Sequence, residues 1–217
     1  MENKILVLIS GGIDSFVLLN LLKKNNFSPI CVFIDYGQLS AKREYKSFKN
    51  ICRYESIRNI QKIEVKNFGK HINSGLIKKT IKNDYFPARN LLLISLISPF
   101  LEKYKCNHIS LGIINSTRYF SDCSQDFFMS LSDTLSSILN KKITIITPIY
   151  NFTKVDIFRY AEKYELPISL SYSCQKGTNS HCKKCPSCIE RLSAIKTLLN
   201  EKNGNRNYEK KINNDTE

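Results

Sequence analysis

Apolar residues along the chain form short continuous runs, and each run is followed by a longer segment with apolar residues at helical spacing. The first run, KILVLI at 4–9, predicts a strand, because a parallel strand that is covered on both faces is apolar at every position. The segment at 15–26, SFVLLNLLKKNN, predicts a helix. The chain therefore begins with a strand, a turn and a helix.

The same alternation continues and predicts five strands and six helices in total. The further strands are expected at 29–37, 60–65, 108–114 and 142–149, and the further helices at 40–55, 90–103, 126–139, 153–164 and 189–200. We expect Pro99 to bend or shorten the third helix and Thr153 to cap the fifth. This alternation predicts the α/β class, with a doubly wound parallel sheet of five strands.

The pattern divides the chain into three parts. Residues 1–170 carry the strands, residues 171–200 hold four closely spaced cysteines and the last helix, and residues 201–217 are polar. A polar segment with few aliphatic residues cannot bury enough apolar surface to fold, so we expect the tail to be disordered. Residues 66–88 lack a clear period and predict a long loop, a kind of segment that often forms a lid.

The composition narrows the class of protein. No apolar run reaches the ~18 residues that a membrane helix needs, and the N-terminus shows no cleavage site, so we expect a cytoplasmic protein. The net charge of +14 would suit a phosphate-bearing ligand. Because lysine, asparagine and isoleucine are abundant everywhere and form no dense basic stripe, a general compositional bias explains the charge better. We expect no direct nucleic-acid partner.

The turn after the first strand carries the first candidate chemistry. Gly11 and Gly12 let the backbone approach an anion closely, and a helix that begins there points its free N–H groups and its positive dipole end at the same place. Ser10 and Ser15 add hydroxyl donors. A carboxylate beside phosphates is repulsive unless Mg²⁺ lies between them, so we assign Asp14 to that metal. We call residues 10–15 the phosphate loop.

Two glycines in a turn are, by themselves, weak evidence for a phosphate-binding site. The spacing is neither that of a P-loop, which needs a lysine after the last glycine, nor the dinucleotide pattern G-x-G-x-x-G. An ordinary tight connection between a strand and a helix is the alternative.

The second candidate site is a cluster of cysteines. Of the eight cysteines, four are scattered and four follow the pattern C-x7-C-x2-C-x2-C, namely Cys174, Cys182, Cys185 and Cys188. A chain without a secretory signal favours metal binding over disulfides. Four thiolates at these spacings can surround a structural Zn²⁺ with no open position for catalysis.

Three alternatives to this zinc site stay open. An iron–sulfur cluster also accepts four cysteines. A nucleic-acid-binding zinc ribbon is less suitable, because ribbons separate two C-x2-C pairs by roughly fifteen to twenty residues. His181 could replace one cysteine as a ligand, although an exposed histidine outside a complete shell is the simpler interpretation.

The segment SGGIDS resembles the pyrophosphate loop of the ATP-pyrophosphatase (PP-loop) superfamily, whose members activate a carbonyl or carboxylate by adenylation. Further segments, together with it, resemble the 7-cyano-7-deazaguanine synthase (QueC) family up to residue 197. These are DYGQ at 35–38, FPARN at 86–90, YFSDCSQDFF at 119–128, TKVDI at 153–157 and the cysteine region at 171–195. The resemblance implies a Rossmann-like fold of the adenine nucleotide alpha hydrolase type, with the cysteines in an appended helical segment.

The resemblance also implies an activity and partners. The family adenylates 7-carboxy-7-deazaguanine with ATP and Mg²⁺, forms the amide with ammonia, and dehydrates the amide to a nitrile for queuosine synthesis. The chain resembles no glutaminase, so free ammonium is the expected nitrogen source, and a homodimer is expected.

The expected site residues follow from the same motifs. Asp14, Arg89 and Lys154 are expected to act in catalysis, with the alternatives that Arg89 pairs with a neighbouring acid and that Lys154 only faces solvent. The nucleotide is expected to contact the phosphate loop, Asn90 and Asp35, which ends the second strand. The expected substrate contacts are Arg118, Tyr119 and Asp122.

Departures from the family pattern leave the substrate open. The family usually has Arg and Pro after the Asp-Cys pair, where this chain has Ser124 and Gln125. The nearest alternative is therefore a QueC-like enzyme that adenylates another carboxylate, on a protein, in an antiphage defence system. A tRNA thiolation enzyme with Cys106 or Cys123 as sulfur carrier is a second alternative. A zinc-containing nucleic-acid binder without catalysis is a third, and it leaves the phosphate loop unexplained.

Overall fold

A computed structural model describes residues 3–117 and 120–214. The sheet has five strands, β1 (Asn3–Leu8), β2 (Phe27–Asp35), β3 (Ile60–Glu64), β4 (His108–Leu111) and β5 (Thr144–Ile146). Their order in the sheet is β3-β2-β1-β4-β5, and each neighbouring pair is parallel. The predicted doubly wound α/β sheet is confirmed, and its direction of winding reverses between β1 and β4, where such sheets bind ligands.

The helices cover both faces of this sheet. They are α1 (Ile13–Lys24), α2 (Ala41–Tyr54), α3 (Arg89–Ile97), α4 (Phe100–Tyr104), α5 (Gln125–Leu139), α6 (Lys154–Lys163) and α7 (Pro186–Asn214). The single helix predicted at 90–103 is divided into α3 and α4, and Pro99 stands as the N-cap residue of α4. The expected interruption at this proline is confirmed.

Two hydrophobic cores lie on opposite faces of the sheet. Ile5 and Val7 of β1 belong to the core against α1, α2 and α6, whereas Leu6 belongs to the core against α3 and α5. All three side chains are 0 % exposed. The continuous apolar run of β1 therefore reflects a strand that is buried on both faces.

Two strands end earlier than the apolar pattern predicted. β4 and β5 stop at Leu111 and Ile146, although the apolar runs continue to residues 114 and 149. Ile114 and Ile149 are nevertheless buried, because the chain beyond each strand lies on the core without joining the sheet. The ends of these two apolar runs therefore indicate burial and do not indicate pairing within the sheet.

The last helix begins earlier and ends later than the sequence pattern predicts. It was predicted at 189–200 with a disordered tail from 201, but α7 begins at Pro186 and continues to Asn214. Glutamate and lysine are good helix formers, and the helix is also fixed to α6 by ion pairs. Glu201 binds Arg159 at 3.1 Å, and Lys202 binds Glu162.

The N-terminus of α6 is held by a capping box. The Thr153 Oγ accepts the N–H of Asp156 at 3.1 Å, and the Asp156 carboxylate accepts the Thr153 N–H at 2.9 Å. The Thr153 hydroxyl also donates to the Asp156 carboxylate at 2.6 Å, and this hydrogen bond, followed by that from the Thr153 N–H, lowers the pKa of Asp156. The predicted cap at Thr153 is confirmed, and it fixes the direction of Lys154, the first residue of the helix.

Over residues 3–117 and 120–214, none of the helices combines the length and the apolar character that crossing a bilayer would require.

Candidate active site and metal centre

The phosphate loop lies between β1 and α1, at the carboxyl edge of the sheet. Gly11 has a φ of +82°, and Gly12 is the N-cap of α1 without a side-chain cap. The Ser15 hydroxyl donates to the Gly12 carbonyl at 2.9 Å, and the Gly12 N–H donates to the Ser10 Oγ at 3.3 Å. The expected turn with an uncapped helix N-terminus is present, and such an end attracts anions.

Gly11 is also pressed against its neighbours. A Cβ at this position would lie 3.0 Å from the Phe48 nitrogen and would collide with the Glu44 carbonyl, both in α2. The Gly11 carbonyl accepts hydrogen bonds from the Ser47 hydroxyl and from the N–H of Tyr172, each at 2.8 Å. The phosphate loop is therefore clamped between α2 and the chain that leads into the cysteines.

Asp14 and Lys154, both expected in catalysis, lie in direct contact although they are 140 positions apart. The Lys154 ammonium donates to both Asp14 oxygens, at 2.8 and 2.7 Å, and lies 3.2 Å from a Glu190 oxygen. Burial alone would lower the pKa of Lys154, but the charges of Asp14 and Glu190 outweigh it and raise the pKa. The lysine is therefore charged, and the sequence pattern gave no signal for Glu190.

Arg89 begins α3 and faces a buried polar group from the end of β2. Burial raises the pKa of Tyr36 to about 12, and the nearby Arg89 charge opposes this shift. Burial also raises the pKa of Glu44. The hydrogen bonds from Gln38 and Ser40 and the charge of Arg89 act in the opposite direction but do not cancel this rise. Arg89 thus lies near an acid, which is the alternative considered for it, and its catalytic role stays a prediction.

Asn90 holds the loop that follows β4. Its N–H donates to the Asp122 carboxylate at 2.9 Å, and its side-chain amide donates to the Asp122 carbonyl at 2.9 Å and to the Cys123 Sγ at 3.1 Å. Its predicted contact with the nucleotide stays a prediction, because in this structure these donors position Asp122 instead. The other predicted substrate contacts, Arg118 and Tyr119, lie outside the described residues.

Two further features lie at the same edge of the sheet. Asp35 ends β2, where its carboxylate accepts the Gly37 N–H at 3.1 Å, and its contact with adenosine stays a prediction. The rings of Tyr85 and Phe120 stack with centroids 5.7 Å apart and planes inclined by 14°. This pair joins the end of the long loop to the loop after β4, and the pattern did not predict it.

The four clustered cysteines fit a tetrahedral metal ion. Their Sγ atoms all lie within 4.8 Å of one another, and those of Cys182 and Cys188 are 3.9 Å apart. Ligands 2.3 Å from a zinc ion at tetrahedral angles lie about 3.8 Å apart. All four cysteines are free, and His181 is outside the group, with its ring against Tyr172.

Hydrogen bonds stabilise the thiolate form of two of these cysteines. Burial raises the pKa of Cys174, but hydrogen bonds from Thr178 and from backbone N–H groups lower it to about 5. The pKa of Cys182 is lowered by the backbone N–H groups of Lys184 and Cys185, which donate to its sulfur at 3.5 and 3.3 Å. Thiolates are the form that binds metals.

The scattered cysteines are unsuited to carry sulfur. Cys106 and Cys123 are each 3 % exposed, and burial raises the pKa of both thiols, for Cys123 to about 11. A reactive cysteine needs an accessible thiolate. The structure therefore disfavours the thiolation alternative.

Residues 171–188, here named the cysteine segment, contact the phosphate loop and its surroundings. Besides the hydrogen bond from Tyr172 to Gly11, Lys176 binds Asp84 of the long loop at 3.0 Å. Arg191, one turn into α7, donates to the Ser171 hydroxyl at 3.0 Å. A metal ion in the cysteine segment would therefore stabilise the wall of the phosphate loop.

Comparisons with known proteins agree with these motifs. A family model described as "Queuosine biosynthesis protein QueC" matches residues 4–199. The 7-cyano-7-deazaguanine synthase of Nautilia profundicola is 30% identical over 88% of this chain and 93% of its own length. That of Picrophilus torridus is 33% identical over 87% of this chain and 85% of its own length.

Solved structures support the fold alone. The NH3-dependent NAD synthetase of Campylobacter jejuni has a TM-score of 0.50 at 15% identity, over 80% of this chain and 71% of that one. The predicted subunit of a tRNA methyltransferase from Methanocaldococcus jannaschii has a TM-score of 0.52 at 20% identity, and the match covers 74% of this chain and 75% of that one.

Proposed function

The chain belongs to the QueC family, and from this premise we propose that it is an ATP-dependent carbon–nitrogen ligase that acts as a 7-cyano-7-deazaguanine synthase. Its substrates are 7-carboxy-7-deazaguanine, ammonia and ATP with Mg²⁺. The proposed place of the reaction is the cytoplasm, and the proposed assembly is a homodimer.

The chemistry requires two activations, because both a carboxylate and an amide are poor electrophiles. Adenylation of the carboxylate releases pyrophosphate, and ammonia then displaces AMP to give the amide. Adenylation of the amide oxygen releases a second pyrophosphate, and loss of AMP and a proton gives the nitrile. Each nitrile therefore consumes two ATP.

The phosphate loop is proposed to hold the pyrophosphate that leaves in each activation. Ser10, Gly11, Gly12 and Ser15 supply backbone and hydroxyl donors, and the N-terminus of α1 supplies a positive dipole end. Asp14 offers the carboxylate oxygens that suit Mg²⁺, which accompanies ATP. Lys154 is proposed to neutralise phosphate charge.

The remaining predicted residues surround this loop. Asp35 is proposed to bind the adenosine, Arg89 the acyl phosphate, and Asn90 the nucleotide or the loop that carries Asp122. Arg118, Tyr119 and Asp122 are proposed to bind the substrate. A carboxylate such as Asp122 suits a heterocycle edge with two N–H donors, because it can accept both hydrogen bonds.

The cysteines are proposed to hold a structural Zn²⁺. Four sulfur ligands leave no open position on the ion, so no step of catalysis is assigned to it. The alternative of an iron–sulfur cluster uses the same ligands.

The observation that supports this proposal most is the contact between the two motifs of the family. The Tyr172 N–H, beside the first metal-binding cysteine, donates to the carbonyl of Gly11 in the phosphate loop at 2.8 Å. An ordinary strand connection would not need this support.

A single assay tests the proposal. We expect the purified protein with Mg-ATP, ammonium and 7-carboxy-7-deazaguanine to form the amide and then the nitrile, with two AMP for each nitrile. Mass spectrometry identifies both products, and omission of ammonium is the control that stops both. Absence of AMP and of both products with this acid would contradict the proposed substrate.

One observation favours a second candidate. The position where the family usually carries an arginine is occupied by Ser124, whose Oγ accepts the Phe127 N–H at 3.1 Å and caps α5. Ser124 thus begins a helix and brings no charge to the substrate. The second candidate is a QueC-like enzyme that adenylates another carboxylate, on a protein, in antiphage defence. Formation of AMP only with a protein acceptor would favour it.

A further inference from the structure

The ammonium group of Lys154 is surrounded by carboxylate oxygens. Two come from Asp14 at 2.7 and 2.8 Å, and the third comes from Glu190 at 3.2 Å. The Lys154 side chain is only 11 % exposed. An ammonium group has three N–H donors, so these three oxygens can use all of them.

This arrangement occupies the two groups that the proposed function needs. Both oxygens of Asp14 accept hydrogen bonds from Lys154, and the adjacent ammonium charge repels a divalent cation, so this carboxylate binds such a cation better once the pair is open. Lys154 has no donor left for a phosphate while it holds all three oxygens. Binding of Mg-ATP at the phosphate loop therefore favours opening of the Asp14–Lys154 pair.

Glu190 is placed to make this opening easier. We propose that Glu190 is a positioning residue, which retains Lys154 when Asp14 turns to the cation of Mg-ATP and thereby keeps the ammonium beside the phosphate loop. The proposal rests on the proposed function, because it needs Mg-ATP to bind at this loop. Without Glu190, no carboxylate among the described residues would remain beside Lys154 when the pair opens, so the closed Asp14–Lys154 pair would be favoured more strongly.

The surroundings fit an exchange of partners. An open cleft of about 530 Å³ is lined by Lys154 and Glu190 and by apolar residues including Val155 and Ile189, so the lysine side chain has room to move. The neighbouring cation, Arg191, donates to Ser171 and to the Ile168 carbonyl, and its charge also acts on Asp14. Of the two acids that contact Lys154, Asp14 belongs to the phosphate loop and Glu190 belongs to α7, so Glu190 can keep its contact when Asp14 turns away.

The Mg²⁺ dependence of ATP binding tests the proposal without any reaction. Calorimetry at a series of Mg²⁺ concentrations gives the concentration for half-maximal ATP binding. For Glu190→Gln we expect this concentration to rise about fivefold, the size of a typical coupling between groups in contact. In a Lys154→Gln variant, Asp14 no longer pairs with a lysine. In that background, Glu190→Gln should change the Mg²⁺ concentration for half-maximal ATP binding by less than about twofold.

A matched control is available on the same pair of helices. Glu201 of α7 binds Arg159 of α6, at 3.1 Å, far along the helices from the phosphate loop. Glu201→Gln removes the same charge from the same helix and should leave the Mg²⁺ dependence unchanged. Glu190→Asp, which keeps the charge, should restore the Mg²⁺ dependence toward that of the wild type even if Glu190→Gln reduces stability.

The outcomes separate this proposal from the proposed function. An unchanged Mg²⁺ dependence in Glu190→Gln, or an equal change in the Lys154→Gln background, would overturn the role of Glu190 alone. A wild-type protein that bound no ATP at any Mg²⁺ concentration would overturn the proposed function, and the role of Glu190 with it.

Discussion

Gly11→Ala is expected to lower the affinity for ATP at least about 100-fold, which corresponds to roughly 2.7 kcal/mol. The φ of Gly11 is +82°, a backbone conformation that costs an L-residue roughly 1–2 kcal/mol. The added Cβ would also collide with the Glu44 carbonyl and approach the Phe48 nitrogen to 3.0 Å. Either the turn or α2 must move, and the backbone donors of the phosphate loop would then lose their common direction.

Calorimetry with Mg-ATP measures this loss, and circular dichroism establishes whether the sheet remains folded. Gly112→Ala is the matched control, because a Cβ there would meet its nearest atoms, in the backbone of Asp14 and Ser15, at ordinary contact distances of 3.5 Å or more. The control variant should bind ATP within about twofold of the wild type. A Gly11→Ala protein with wild-type affinity would show that this turn is not where the nucleotide binds.

Removal of the metal is expected to weaken ATP binding by more than about tenfold and to lower the Tm by about 10 °C, because a structural metal contributes folding free energy directly. Cys174, which is 0 % exposed, stands two residues after Tyr172, whose N–H holds the carbonyl of Gly11. Loss of the four-sulfur cluster would release this contact while the sheet keeps its own core. Both a chelator and Cys174→Ser should have this effect.

Elemental analysis should find one zinc ion per wild-type chain and little in Cys174→Ser. Iron in place of zinc would support the iron–sulfur alternative. Cys106→Ala is the control, because it removes a buried cysteine outside the cluster and should leave the metal content unchanged. If the metal-free chain bound ATP as tightly as the metal-bound chain, the cysteine segment would not support the phosphate loop.

The parts of the fold that could be predicted are those that depend on neighbouring residues. β1 could be predicted because both faces of a central parallel strand are buried, and the cap at Thr153 because a threonine stands directly before the helical pattern. The cluster of cysteines could be predicted from local spacing as well, since its four cysteines lie within fifteen positions. Local spacing was sufficient in each case.

The remaining features depend on contacts between distant parts of the chain. Asp14 and Lys154 were each assigned to the site, but their contact over 140 positions could not be predicted from spacing. The Asn90 side chain binds Asp122 and Cys123, more than 30 positions away, instead of facing only the nucleotide site. The continuation of α7 beyond residue 200 was missed in part because Glu201 and Lys202 form ion pairs with α6, which is distant in the sequence.

A structure of the protein with Mg²⁺ and a non-hydrolysable ATP analogue tests the central claim, that the phosphate loop holds the phosphates of ATP, most directly. The account predicts the β- and γ-phosphates against the backbone N–H groups of Gly11 to Ser15, with Lys154 separated from Asp14. An analogue bound elsewhere, with the loop still closed by the Asp14–Lys154 pair, would contradict it.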